Sequence, residues 1–147
     1  MEDFFSDEYF MKQAILEAKK GFENDEVPIG AVIVSNNQII ARAHNSVESL
    51  NDATAHAEIL AITSASNFIG SKYLNDCSLY VTIEPCPMCA GAISWSQIGK
   101  VVIGAYDPKK GYSKFNSDII DSRTEIISGI LDGECSDLIK QFFKLKR

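Results

Sequence analysis

The sequence predicts an α/β fold in three layers, a mixed five-stranded sheet with helices on both faces. Two observations carry this. Short β-branched runs alternate with stretches of helical periodicity from Val27 to Ala105, the pattern of sheet and helix layered together. The first two runs are separated only by Ser35-Asn36-Asn37, which suits an antiparallel hairpin, whereas the later runs are joined through helices and so suit parallel pairing. The chain has 147 residues, 46% of them hydrophobic. That is enough for one substantial core, and neither repeats nor low-complexity segments interrupt it, so residues 1–147 are expected to form a single domain.

Each element has its own signal. From about Asp7 to Phe22 the residues Phe10, Ala14 and Ala18 fall on one helical stripe, with Ser6 placed as N-cap and Gly21 marking the fading end. Ile29–Val34 and Gln38–Ala43 read as the hairpin strands. A helix follows from about Ala55 to Ser66, then a strand over Ser78–Ile83, a helix from about Pro87 to Trp95 and a strand over Lys100–Ala105. A last strand is expected near Arg123–Ile127 and a last helix over Asp132–Phe143, with Leu138, Ile139 and Phe142 on its buried side. Trp95 and the Phe142-Phe143 pair read as core anchors rather than base-stacking platforms.

The chemistry is concentrated in two short stretches, His56-Ala57-Glu58 and Pro85-Cys86-Pro87-Met88-Cys89. An imidazole and two thiolates are three of the four ligands of a tetrahedral zinc ion, and a site with three protein ligands keeps a position for water, as catalytic zinc sites do. Zinc lowers the pKa of such a water from about 15.7 toward about 7, but a proton carrier is still needed, and Glu58 stands two residues from the histidine. The spacing of Cys86 and Cys89 puts both on one face of a starting helix, whose dipole favours thiolates. A C-x-x-C pair alone also fits a redox dithiol or half of a structural zinc site; neither accounts for His56 and Glu58, and no second pair is present to close a structural site. His44 is the only other histidine and reads as a polar residue at a strand edge or facing a substrate. Cys77 and Cys135 lie in apolar surroundings and read as small core residues, so no disulfide framework is expected.

Net charge is −6, from 14 basic and 20 acidic residues. An acidic chain argues against a simple nucleic-acid module, because phosphate contacts supply most of such affinity. The distribution softens this: residues 1–26, 27–99 and 100–147 carry −5, −3 and +2. The excess in the last third includes Lys109, Lys110, Lys114, Lys140, Lys144, Lys146 and Arg147, which form either a basic patch or, from Lys140 on, merely the solvated end of a helix. The chain starts with acidic and aromatic residues and has no apolar run of membrane-spanning length. A cytoplasmic protein with no membrane partner is expected.

The H-x-E and P-C-x-x-C stretches resemble the zinc-dependent nucleobase deaminases. The likeness extends through Val27-Pro28-Ile29-Gly30-Ala31, Asn45, Asp52-Ala53-Thr54-Ala55-His56-Ala57-Glu58, Leu79 to Cys86, Gly104-Ala105-Tyr106-Asp107-Pro108, Gly129-Ile130-Leu131, Glu134-Cys135 and Phe142 to Arg147. Over nearly the whole chain it is similar to the bacterial tRNA-specific adenosine deaminases of the cytidine/deoxycytidylate deaminase superfamily. The resemblance implies a cytidine-deaminase-like fold, one zinc ion per subunit held by His56, Cys86 and Cys89, and Glu58 as catalytic acid and base. It further implies conversion of adenosine to inosine at position 34 of a tRNA anticodon stem-loop, of tRNA-Arg type, by a homodimer. Asn45 aligns with a residue that contacts the target nucleotide, though an Asx turn would also explain it; Asp107 aligns with one near the ribose, though an Asp-Pro turn would serve. Val27, Pro28 and Ile29 align with a wall of the base pocket, and would equally begin an ordinary strand. The chain departs from the family between Gly111 and Arg123, where Tyr112-Ser113-Lys114-Phe115-Asn116 begins a shortened path. That departure keeps open a deaminase of a free base or nucleoside, of guanine or cytosine type. A non-catalytic RNA-binding subunit with structural zinc is a third reading.

Overall fold

The computed structural model describes residues 5–146; the first four residues of the acidic, aromatic start and Arg147 lie outside them. Helix α1 (Asp7–Glu23) opens the fold, with the Ser6 hydroxyl accepting the Tyr9 amide as expected of an N-cap. Strands β1 (Gly30–Ser35) and β2 (Gln38–His44) form the hairpin. Its two-residue loop, Asn36-Asn37, has both φ angles positive, a conformation asparagine tolerates better than most residues. Then come α2 (Val47–Leu50), α3 (Ala57–Ile69), β3 (Cys77–Ile83), α4 (Pro87–Ser96) and β4 (Lys100–Ala105). The chain closes with α5 (Tyr112–Phe115), a 3-10 turn (Ser117–Ile119), β5 (Glu125–Ser128) and α6 (Asp132–Leu145).

The five strands lie in the order β2-β1-β3-β4-β5. β1 runs antiparallel to β2 and β3, and β3, β4 and β5 run parallel, so the sheet is mixed as the connections predict. Residues alternate between two cores. Ala31, Ile33, Leu79, Val81, Val101 and Ile103 face Ala57, Ala61, Ala90 and Ile93 of α3 and α4. Val32, Val34, Tyr80 and Val102 face Phe10, Met11, Ala14 and Ile15 of α1, with Cys135 of α6 and its neighbours Leu138 and Ile139 packed alongside. Cys77 and Cys135 are buried and unpaired, as expected. At Gly30 the backbone of α1 lies directly against the sheet: a Cβ there would overlap the backbone oxygen of Ala14 and nitrogen of Ala18.

Two expectations fail. Trp95 is 86% exposed and Phe143 half exposed, so neither anchors the core; Phe142 does. On a helix covering one face of a sheet only the inward stripe is buried. Ile93 takes that role on α4, and Trp95, two residues on, points away. The short helices α2 and α5 and the 3-10 turn were not foreseen, because four residues contain too little periodicity to register. No described helix is long and apolar enough to cross a membrane.

Candidate metal centre and substrate site

The topology gathers the singled-out residues at one end of the sheet. β1 begins there, and β2, β3 and β4 end there, as the pairs Gly30 with His44, Ala31 with Val81, and Ile83 with Ala105 record. Val27, Pro28 and Ile29 lead into β1 and Asn45 follows β2. Cys86 follows β3 and Asp107 follows β4. His56 is the N-cap of α3 and Cys86 the N-cap of α4, with Pro87 at the first helical position.

Nδ1 of His56 lies 3.7 Å from Sγ of Cys86 and 3.6 Å from Sγ of Cys89. In a tetrahedral site with Zn–N near 2.0–2.1 Å and Zn–S near 2.3 Å, nitrogen and sulfur are about 3.6 Å apart. The three residues therefore fit one zinc ion without rearrangement, and they are the one such His/Cys/Asp/Glu cluster among the described residues. The donor chemistry agrees. Cys86 is pulled down to about 5, first by the Cys89 thiol and, against burial, by the Cys89 and Met88 amides at the start of α4 and by His56. Its partner Cys89 is pushed up by Cys86 and by burial, so without metal the pair keeps one proton between them. His44 takes no part: its Nδ1 is 3.0 Å from the Asn45 carbonyl oxygen.

Glu58 sits on the first turn of α3 and is only 4% exposed. Burial raises its carboxyl to about 7, with the Cys86 charge adding to that rise; its own amide, His56 and Cys89 oppose it. In the metal-free chain the carboxyl is thus held where it can both take and return a proton at neutral pH.

The remaining residues are placed by hydrogen bonds. The Asn45 amide donates to the Ile29 carbonyl at 3.0 Å, tying that residue to the Val27–Ile29 segment. Asn45 itself is only 8% exposed, and no hydrogen bond engages its carboxamide among the described residues, so it forms no Asx turn. The Asp107 carboxylate accepts the Lys109 and Lys110 amides, both at 3.0 Å, which is the turn reading realised.

Glu84 was not singled out in the sequence. Its buried carboxylate accepts the Asp107 amide, the Ser113 amide and, at 2.6 Å, the Ser113 hydroxyl. The Tyr112 amide meanwhile donates to the Pro85 carbonyl. The departing segment after Gly111 is thus clamped to the strand end that delivers Cys86. A Cβ on Gly111 would collide with Glu84, so glycine is needed there for space. Nothing local marks Glu84; only its position just ahead of Pro85-Cys86 could have drawn attention to it.

A fold of this topology with His, Cys and Cys at two helix starts and a buried carboxylate beside them defines a zinc-dependent deaminase centre. The sequence model of the cytidine and deoxycytidylate deaminase zinc-binding region matches residues 5–105, and the chain belongs to that family. Among its relatives, the tRNA-specific adenosine deaminase of Bacillus subtilis (strain 168) is 48% identical over 143 residues, covering 94% of this chain and 89% of the relative. A solved structure from a study of A-to-I editing by tRNA:A34 deaminases at the wobble position superposes with a TM-score of 0.83 at 41% identity, covering 88% of this chain and 98% of that one. A guanine deaminase of Bacillus subtilis superposes less closely, with a TM-score of 0.66 at 40% identity over 78% of this chain and 71% of that one.

Proposed function

We propose that this chain, as one deaminase domain over residues 1–147, hydrolyses adenosine to inosine at position 34 of a tRNA anticodon stem-loop of tRNA-Arg type, as a cytoplasmic homodimer. The observation that carries the reading is the His56, Cys86 and Cys89 triangle at tetrahedral spacing beside buried Glu58. Relatives covering nearly the whole chain favour adenosine in tRNA over a free base. Bound zinc would supply the Lewis acidity that makes water a competent nucleophile at neutral pH. Glu58 takes the proton from the attacking water and passes it to N1 of the purine. Once oxygen is bonded to C6, Glu58 takes its remaining proton and hands it to the amino group, the C6–N6 bond breaks, ammonia leaves and C6 keeps the oxygen as a carbonyl.

The free carboxamide of Asn45 is assigned to the target nucleotide, and Val27, Pro28 and Ile29 to the wall against its base. Asp107 is assigned to the neighbourhood of the ribose through its backbone and the turn it organises. The exposed Trp95 and Met88 of α4, with Phe68 and Ile69 of α3, support a second copy covering these two adjacent helices.

Inosine formation by zinc-loaded protein on an A34 anticodon stem-loop, compared with free adenosine, cytosine and guanine, tests the reading, with Glu58→Ala as control. Turnover of the stem-loop alone, abolished in the control, is expected. Turnover of a free base alone would transfer the same chemistry to a nucleobase substrate. RNA binding without turnover would leave only a binding subunit.

A further inference from the structure

We propose that Glu26 is a positioning residue for this reaction: it fixes the turn carrying Asn45 against the Val27–Ile29 wall and thereby sets the affinity for the target nucleotide. The proposal rests on the reading that Asn45 contacts the substrate. Glu26 is 1% exposed, in a place where a carboxylate is costly unless fully bonded. It is fully bonded, and every partner belongs to the turn after β2. Oε1 accepts the Glu48 amide at 3.1 Å, and Oε2 accepts the Ser49 amide at 2.7 Å and the Ser49 hydroxyl at 2.6 Å. These are the second and third amides of α2, the ones an N-cap side chain ordinarily serves. The residue at the N-cap, Ser46, does not serve them; its hydroxyl donates to the His44 carbonyl instead. The cap is supplied from 22 residues earlier in the chain.

The consequence is a bracket around Asn45. On one side its amide holds Ile29, three residues after Glu26. On the other, Glu26 holds Glu48 and Ser49, and the Ser46 amide donates to the Ala55 carbonyl next to His56. The three segments that carry Asn45, the pocket wall and the first zinc ligand are therefore laced together, with Glu26 the sole side chain in the lacing that bonds to two successive amides of the turn. Meanwhile no hydrogen bond engages the Asn45 carboxamide among the described residues, and since none of their buried side-chain polar atoms lacks a partner, its polar atoms are the part of this residue that reaches solvent, where a ligand can meet them.

Glu26→Gln keeps the shape but sets an NH2 against an N–H of the turn, so one bond is lost and a donor faces a donor. With zinc-loaded full-length protein and the A34 stem-loop, Glu26→Gln should raise KM about tenfold with kcat within about twofold and zinc content unchanged. Ser49→Ala, which removes only the hydroxyl bond, should raise KM about threefold and serves in place of Glu26→Gln should that variant not fold. The deciding readout is the cycle with Asn45→Ala: if Glu26 acts through Asn45, then adding Glu26→Gln or Ser49→Ala to Asn45→Ala changes KM by less than about twofold. Multiplicative effects, or a fall in kcat at constant KM, would overturn the proposal while leaving the function reading intact. An Asn45→Ala variant with unchanged KM, or a wild type that makes no inosine, would overturn the substrate-contact reading itself and the proposal with it.

Discussion

Replacing Glu58 by Gln is the sharpest perturbation of the centre, because it removes a proton carrier and a buried titrating group while preserving shape. Loss of a positioned general acid and base costs about 10²–10⁴ in rate, or about 3–5 kcal/mol of barrier. The zinc ligands are brought together without help from Glu58, so one zinc per chain should remain. A second magnitude follows from burial, which lifts the carboxyl from 4.5 to about 7. A difference of that size is worth about 3 kcal/mol. Its sign is fixed by linkage: between these pH values the unfolded chain has released the proton and the native one still holds it, so native stability falls as pH rises. Metal-free wild type should therefore lose about 3 kcal/mol between pH 4.5 and the region above pH 7 that Glu58→Gln does not lose. Urea denaturation of both metal-free proteins at pH 5 and pH 8 reads that difference, and single-turnover deamination with metal analysis reads the rest. A variant retaining more than about a tenth of wild-type turnover, or losing its zinc, or following the wild-type pH dependence of stability, would refute the reasoning.

Other substitutions separate the parts of the molecule. Cys89→Ser should bring zinc well below one per chain after desalting, whereas Cys77→Ser, in the apolar core, should leave metal content unchanged. Trp95→Ser should alter folding stability by no more than about 0.5 kcal/mol, since the side chain is 86% exposed, yet shift sedimentation equilibrium toward monomer. Gly30→Ala should cost at least about 3 kcal/mol in denaturant unfolding, because the atoms in the way are the backbone of α1 and cannot rotate aside.

How far the sequence discloses the molecule depends on the length scale of the signal. The long helices and strands β1 to β4 are legible within a residue or a few at each end, since each repeats its hydrophobic period; the four-residue β5 is legible from its adjacent β-branched Ile126 and Ile127. The zinc ligands are legible because metal chemistry restricts residue type as well as spacing. What stays hidden is set by long-range partners. α2 is held by a carboxylate 22 residues away, and the 107–113 segment by Glu84. In neither case does the local pattern announce the bond. Trp95 misleads for the opposite reason: large apolar residues are usually buried, and only the helix phase, set by Ile93 and Ala90 facing the sheet, turns this one outward.

The same long-range bonds change what a charge of −6 means. Among the described residues Glu17, Glu26, Glu58 and Glu84 are buried. Glu17 is paired with Lys20 at 2.9 Å, Glu26 and Glu84 are spent on amides and hydroxyls, and Glu58 belongs to the centre. Asp107 likewise turns its carboxylate onto the Lys109 and Lys110 amides. The segment that Glu84 clamps beside the Cys86 strand end presents Lys109, Lys110 and Lys114 as exposed side chains, three cations against the carboxylates of Asp107 and Glu84, which keep their charge but are turned onto amides rather than toward solvent. Affinity for a polyanion depends on the field where it lies more than on the total count, and this field decays over about 8–10 Å at moderate salt. An acidic chain can on this account hold RNA at one end of its sheet. The expected signature is a KM for the stem-loop that rises steeply with salt, and more shallowly once Lys114 is replaced by Ala; a KM indifferent to salt would return the substrate to an uncharged base.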